Sequence, residues 1–192
     1  KKKYDLVIYG ASGFTGHLVC KYLFNHKETQ NLNIGIAGRQ HKKLLNLAKQ
    51  HNINSQNIIL AYAGDHQSLI NMCVQSQLII SLVGPYDLYG EQLIKYCIQE
   101  KTHYLDLTGE YNFVNRIINK YNQQAIDNNV LLINCCGFES IIPEIGSFLM
   151  VKKLQTSTKQ VHLFMRSNGS ISGGTWNSFL NALNKKIINS SS

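Results

Sequence analysis

A short apolar strand running straight into three evenly spaced glycines constrains this chain more than any other feature. Leu6 to Tyr9 is followed by Gly10, Gly13 and Gly16, and an apolar helical pattern begins at Phe14. A strand, a tight turn and a helix in immediate succession leave backbone N–H groups facing outward at a helix N-terminus, where a phosphate can accept them. Gly10 permits the tight turn, Gly13 lets a pyrophosphate approach the backbone, and Gly16 lets the helix pack close to the strand. Phe14 opens the helix, and Ser12 and Thr15 carry hydroxyls able to donate to phosphate. The spacing is G-x-x-G-x-x-G, and glycine triplets also form turns that bind nothing, so the next strand has to be read with this one.

Asn33 to Ala37 alternates as a second strand and ends in Gly38-Arg39. In a Rossmann unit the tip of the second strand faces the adenosine ribose of a dinucleotide. An acid there accepts from the ribose hydroxyls and selects NAD; an arginine there pairs with a 2′-phosphate and selects NADP. Here Arg39 stands at that place, Lys42 and Lys43 follow, and no acid lies between Gly35 and Gln50. A guanidinium offers a planar fork suited to phosphate oxygens. A merely solvated arginine would sit at a helix start, where a cation is mildly unfavourable. NADP is therefore the cofactor expected.

Charge and cysteine usage narrow the alternatives. The net charge of +8 invites a nucleic-acid partner, yet the lysines are scattered (1–3, 42–43, 152–153, 185–186) rather than gathered on one helix or interleaved with stacking aromatics. No nucleic-acid partner is expected, and the field suits an anionic cofactor. The five cysteines have no C-x-x-C spacing, and the adjacent Cys135 and Cys136 are poorly placed to share a metal or close a normal disulfide. Reduced thiols in a cytoplasmic setting and no metal are the expectation. No apolar run reaches the roughly 18–20 residues that span a bilayer, and no signal-peptide core is visible. The sequence starts without Met and ends in Ser190-Ser191-Ser192, which reads as an excised piece.

Strands and helices alternate with little between them. Helices are expected over Phe14–Phe24, His41–Gln50, His66–Val74, Glu91–Gln99, Asn112–Asn128 and, started by Pro143, to about Val151. Strands are expected over Ile58–Ala61, Leu78–Val83, His103–Leu107 and Val130–Asn134 as well as the two above. Continuous apolar strands separated by helices imply an α/β fold with a doubly wound, Rossmann-type parallel sheet covered on both faces. The pattern weakens after Lys153. Gln160–Met165 reads as one more strand, and Ser170–Ser192 as a glycine turn leading into a helix.

Loops at the carboxyl ends of the strands should carry the chemistry. Asp65, after the third strand, can reach the adenine or cap the next helix, the common use of Asp at such a place. Gly84-Pro85-Tyr86 would lie under the nicotinamide half. Asp106, Thr108, Gly109 and Glu110 after the fifth strand, and Cys136 to Ser140 after the sixth, fall on the substrate side; caps and a turn are the alternative reading of both groups. No Tyr-x-x-x-Lys occurs, which argues against a tyrosine-donor short-chain dehydrogenase. Tyr86, His103, Tyr104 and Glu110 are candidate proton donors, though His103 and Tyr104 sit at a strand's start, where packing is the usual role. The catalytic residue stays unassigned.

The same segments carry a resemblance. GASGFTG, AGR, SLVGPYDLYGEQLIKYC, THYLDLTGEYNFV, CCGFESIIPEIG and SGGT occur in order from about Tyr4 to Thr175, and the chain resembles the saccharopine dehydrogenase-like oxidoreductases, a group that includes trans-acting enoyl reductases. The resemblance implies an NADP-linked Rossmann domain over 1–155, with the Gly10–Gly16 turn and Arg39 as matched cofactor positions. It also implies a mostly β substrate and dimerisation domain, entered near Lys159, of which 156–192 would be only the beginning, since members are about twice as long. Hydride transfer to an acyl or enoyl thioester is the implied chemistry, with a homodimer and association with a lipid surface or droplet as possibilities of the full-length protein. Glu139 stands where an Asp is usual. The shared fold does not by itself establish lysine metabolism. Two readings from other classes stay open: an NADP-binding sensor without turnover, and a lipid-surface scaffold that has kept the fold.

Overall fold

The computed structural model describes residues 2–154 continuously and, beyond them, 157–164, 166, 168, 173, 176 and 180. Six strands, β1 (Tyr4–Tyr9), β2 (Ile34–Gly38), β3 (Ile58–Leu60), β4 (Ser76–Ser81), β5 (His103–Asp106) and β6 (Leu132–Ile133), form one parallel sheet in the order β3-β2-β1-β4-β5-β6. Helices α1 (Phe14–Asn25), α2 (His41–Gln50), α3 (His66–Gln75), α4 (Tyr86–Gln99), α5 (Tyr111–Asp127) and α6 (Phe138–Lys153) connect or follow them. The strand order reverses between β1 and β4. That crevice, at the carboxyl ends of the strands, is where such sheets bind ligands.

Each face of the sheet carries a buried core. Leu6 and Ile8 of β1 and Ile34 and Ile36 of β2 meet Cys20 of α1 and Leu44, Leu47 and Ala48 of α2 in one cluster. Val7 and Tyr9, on the opposite pleat of β1, join a larger cluster with Leu69 and Met72 of α3, Leu93 and Ile94 of α4, and Phe113 and Ile117 of α5. The period-2 alternation along β1 thus feeds two cores, the arrangement expected of a doubly wound sheet.

α4 and α5 approach each other at Gly90. A Cβ built there would come within 2.6 Å of Cζ of Phe113, a ring with no exposed surface. Gly90→Ala should therefore cost about 1–3 kcal/mol of stability through overpacking, read as a lower midpoint in urea unfolding.

Several boundaries differ from the sequence expectation. α4 begins at Tyr86 rather than Glu91. β4 ends at Ser81 rather than Val83, so Leu82 and Val83 leave the sheet. α6 begins at Phe138, with Pro143 inside it rather than at its start. The amides of Ser140 and Ile141 already donate to the Gly137 carbonyl (3.1 and 2.9 Å), so the helix is established before the proline, whose missing N–H removes a single rung. Residues 160–164 have no strand, which corrects that expectation for the described part of 160–165; the helix expected over 170–192 lies outside the described residues save for isolated positions. The second domain expected from 156 onward likewise falls mainly outside them. No described helix is long and apolar enough to cross a membrane, and all five cysteines are free.

Candidate functional site

The glycine turn is held from beneath. The amides of Gly10 and Ala11 both donate to the Ala37 carbonyl at the end of β2 (2.9 and 3.2 Å), and Gly13 N–H donates back to Gly10 O at 3.0 Å. Gly10 has φ of 87°, and a Cβ on it would also come within 2.9 Å of the Val83 side chain; the left-handed conformation and the close approach both require glycine. A Cβ on Gly16 would overlap the carbonyl oxygens of Gly10 and Ala11. Gly13 differs from both. It is exposed, has extended dihedrals (φ −82°, ψ 172°) and offers no side chain to cap α1. A Cβ there would meet only Gly10 O, at 3.3 Å. The first turn of α1 therefore faces open space with its backbone donors unclaimed by any side-chain cap, the condition under which a helix N-terminus accepts an anion.

This turn forms one wall of a cleft of about 530 Å³, an ordinary size for a small-molecule site, roughly 300–1,000 Å³. Gly10, Ser12, Gly13, Phe14, Thr15 and Gly16 line it from the turn, Arg39, Gln40 and Lys43 from the end of β2 and the first turn of α2, and Gly84 and Pro85 from the loop after β4. Nine of the ten residues expected at the cofactor are thus brought together. Asp65 is the exception: its carboxylate caps α3, with Oδ1 accepting from the amides of Gln67 (3.1 Å) and Ser68 (3.3 Å), and it does not line the cleft. Its capping reading is the one the geometry supports. Of the two lysines after Arg39, Lys43 reaches the cleft and Lys42, one position out of phase on α2, does not.

Lining residues that the sequence reading passed over are Tyr9, Gln40, Tyr62, Ala63, Leu82, Val83 and Tyr89. Most end or immediately follow a strand, so the rule that carboxyl-end loops carry function could have found them. Burial pushes the Tyr9 phenol up to about 12, partly offset by the Arg39 guanidinium nearby. Tyr9 is thus a neutral floor beneath a cationic rim.

The candidate proton donors are dispersed. The Tyr86 hydroxyl is buried and donates to Ser81 O at 3.0 Å; burial raises its pKa, with the Asp106 charge adding. The Glu110 carboxylate accepts from the Tyr86 and Asp87 amides, each at 2.9 Å. His103, at the opposite end of the sheet, accepts the Leu131 amide on Nδ1 at 3.1 Å. Tyr104 is fully buried in the larger core cluster, and burial holds its phenol well above the ordinary range. Asp106 is buried as well; burial raises it, while bonds from Thr108, Asn134 and Cys135 oppose the rise. Burial also raises the Cys135 and Cys136 thiols, with the Asp106 charge adding, so neither is an activated thiolate.

The family profile described as Saccharopine dehydrogenase NADP binding domain matches residues 6–133. The chain belongs to the saccharopine dehydrogenase-like family. Within that family it is similar to a lipid droplet localized protein of Caenorhabditis elegans, 32% identical over 181 residues that cover 91% of this chain and 42% of the relative. A trans-acting enoyl reductase of Mycobacterium tuberculosis is 33% identical over 155 residues, 80% of this chain and 37% of the enzyme. The chain therefore spans about two fifths of the length of these curated relatives. Among solved structures, apo saccharopine dehydrogenase (L-Glu forming) of Saccharomyces cerevisiae superposes with a TM-score of 0.63 over 78% of this chain and 31% of that one, at 17% identity, which supports the Rossmann-like fold. The cofactor of this saccharopine dehydrogenase-like domain is NADP, and the uncapped α1, the open Gly13 and the Arg39–Lys43 rim are the features that fit it.

Proposed function

We propose that the protein is an NADP(H)-dependent oxidoreductase that delivers hydride to an acyl or enoyl lipid-type substrate, this chain supplying the cofactor-binding part. One observation carries the reading: Arg39 and Lys43 share a single cleft with the uncapped N-terminus of α1. A dinucleotide laid across the β1–β4 reversal would set its pyrophosphate on the Ser12–Gly16 turn and its 2′-phosphate at the guanidinium. When bound, NADPH supplies the hydride; the chain's own residues hold the cofactor, orient it and keep water from one side of it. The lipid-type substrate is supported by the relatives' names, an enoyl reductase and a lipid droplet localized protein.

Arg39→Ala should weaken NADPH by ~1.5–3 kcal/mol, the loss of a charge-assisted hydrogen bond, and leave NADH nearly unchanged. Calorimetric titration with both nucleotides checks this, and equal losses would count against the 2′-phosphate role. The reaction class is tested on the full-length protein, by following NADPH oxidation on addition of 2-enoyl thioesters.

A second reading, a dinucleotide sensor without turnover, is favoured by one observation: Tyr86 and Glu110, two of the candidate donors, are engaged in internal hydrogen bonds. Tight NADPH binding with no consumption across a broad acyl panel would decide for it.

A further inference from the structure

The loops that end β4, β5 and β6 are tied to one another by two carboxylates. Asp106, with no exposed surface, accepts from Thr108 N–H (3.0 Å), Cys135 N–H (3.1 Å) and Asn134 Nδ2 (2.6 Å). Thr108 passes the connection on, its Oγ1 accepting from Glu110 N–H at 3.0 Å. Glu110 then reaches back to a different loop. Its Oε1 accepts from Tyr86 N–H and its Oε2 from Asp87 N–H, both at 2.9 Å. These are the first two amides of α4, and the two residues before them, Gly84 and Pro85, form a wall of the cleft. The other end of that wall is fixed by Leu82 N–H donating to Tyr9 O at 2.8 Å.

The geometry points to Glu110 as a positioning residue for the nicotinamide half of the cofactor. Its carboxylate fixes the Gly84–Pro85 wall, while the adenosine half is left to Arg39 on the other side of the strand reversal. The charge has a second effect. The N-termini of α1 and α4 both begin in loops that line the cleft, and a carboxylate already seated on α4 removes that end as an anion site. A pyrophosphate is thereby directed to α1, and the uncharged carboxamide end of the cofactor falls to α4. The assignment rests on the NADP reading above. Both Glu110 oxygens accept backbone hydrogens of α4, which ties the carboxylate to this wall.

The test compares NADPH with adenosine 2′,5′-bisphosphate, which carries the adenosine end and no nicotinamide, on the full chain and on Glu110→Gln. The glutamine keeps the shape but presents an NH2 to one of the two amides. NADPH affinity should fall about tenfold as the loosened Gly84–Pro85 wall seats the nicotinamide less well, while the bisphosphate stays within about twofold. Unchanged NADPH affinity would overturn the assignment, as would an equal loss of both ligands, which would mean that Glu110 supports the whole cleft. Wild-type protein that takes up neither ligand overturns the cofactor reading and this assignment together. If Glu110→Gln does not fold, Glu110→Asp is read in the same two titrations, and wild-type affinities for both ligands overturn the proposal.

Discussion

Gly16→Ala is expected to destabilise the protein by about 3 kcal/mol or more, the upper range for overpacking a buried site, and to abolish NADPH binding with it. The added Cβ would overlap the carbonyl oxygens of Gly10 and Ala11. Neither can retreat, because the amides of both residues are bonded to Ala37 O at the end of β2 and Ala11 has no exposed surface. The remaining escape is for α1 to lift away from β1, which opens the smaller core around Ile8, Cys20 and Leu44. Thermal unfolding followed by circular dichroism reads the effect. A variant as stable as the wild type would show that α1 does not need this close an approach.

Gly13→Val, three residues earlier, should do the reverse. The backbone at Gly13 is extended, a conformation valine prefers, and the new Cβ would meet only Gly10 O at 3.3 Å. Its two methyl groups would project over the first turn of α1, where the cofactor's pyrophosphate is expected to lie. NADPH affinity should fall about a hundredfold, two charge-assisted hydrogen bonds' worth at the lower end of their range, with the melting temperature within a few degrees of wild type. Cofactor titration beside a thermal melt separates the two variants. If Gly13→Val bound NADPH normally, the phosphates would have to lie elsewhere in the cleft.

The contrast also indicates which parts of the molecule could be read from its residues. The sheet was legible because a parallel sheet buries both faces, and runs such as Leu78–Ile80 have no polar face to show. Its limits were less so: Leu82 and Val83 continue the apolar run but pack outside the sheet, each against one of the two core clusters. That the glycine turn and Arg39 line one cleft was legible because both features act locally. Lys42 and Lys43 were not separable until the phase of α2 was known. The start of α4 was hidden for a different reason. Tyr86 to Gly90 resembles a loop, and the group that organises its first turn, Glu110, lies 24 residues further along the chain. A proline-at-the-start rule placed α6 five residues late, because it begins at Phe138, after an N-cap at Gly137, rather than at Pro143.

β1 is paired on both sides, with β2 along Leu6–Tyr9 and with β4 from Tyr4 to Tyr9. β1 is therefore the keel of the sheet and leaves a ribosome before either partner, and its second flank has no mate until Ser76 and its successors have been made. Parallel pairing over such a separation is slow to form and leaves an unpaired edge exposed in the interval. Mutations that weaken β4 should thus lower the yield of native protein during synthesis more than they lower the stability of what has already folded.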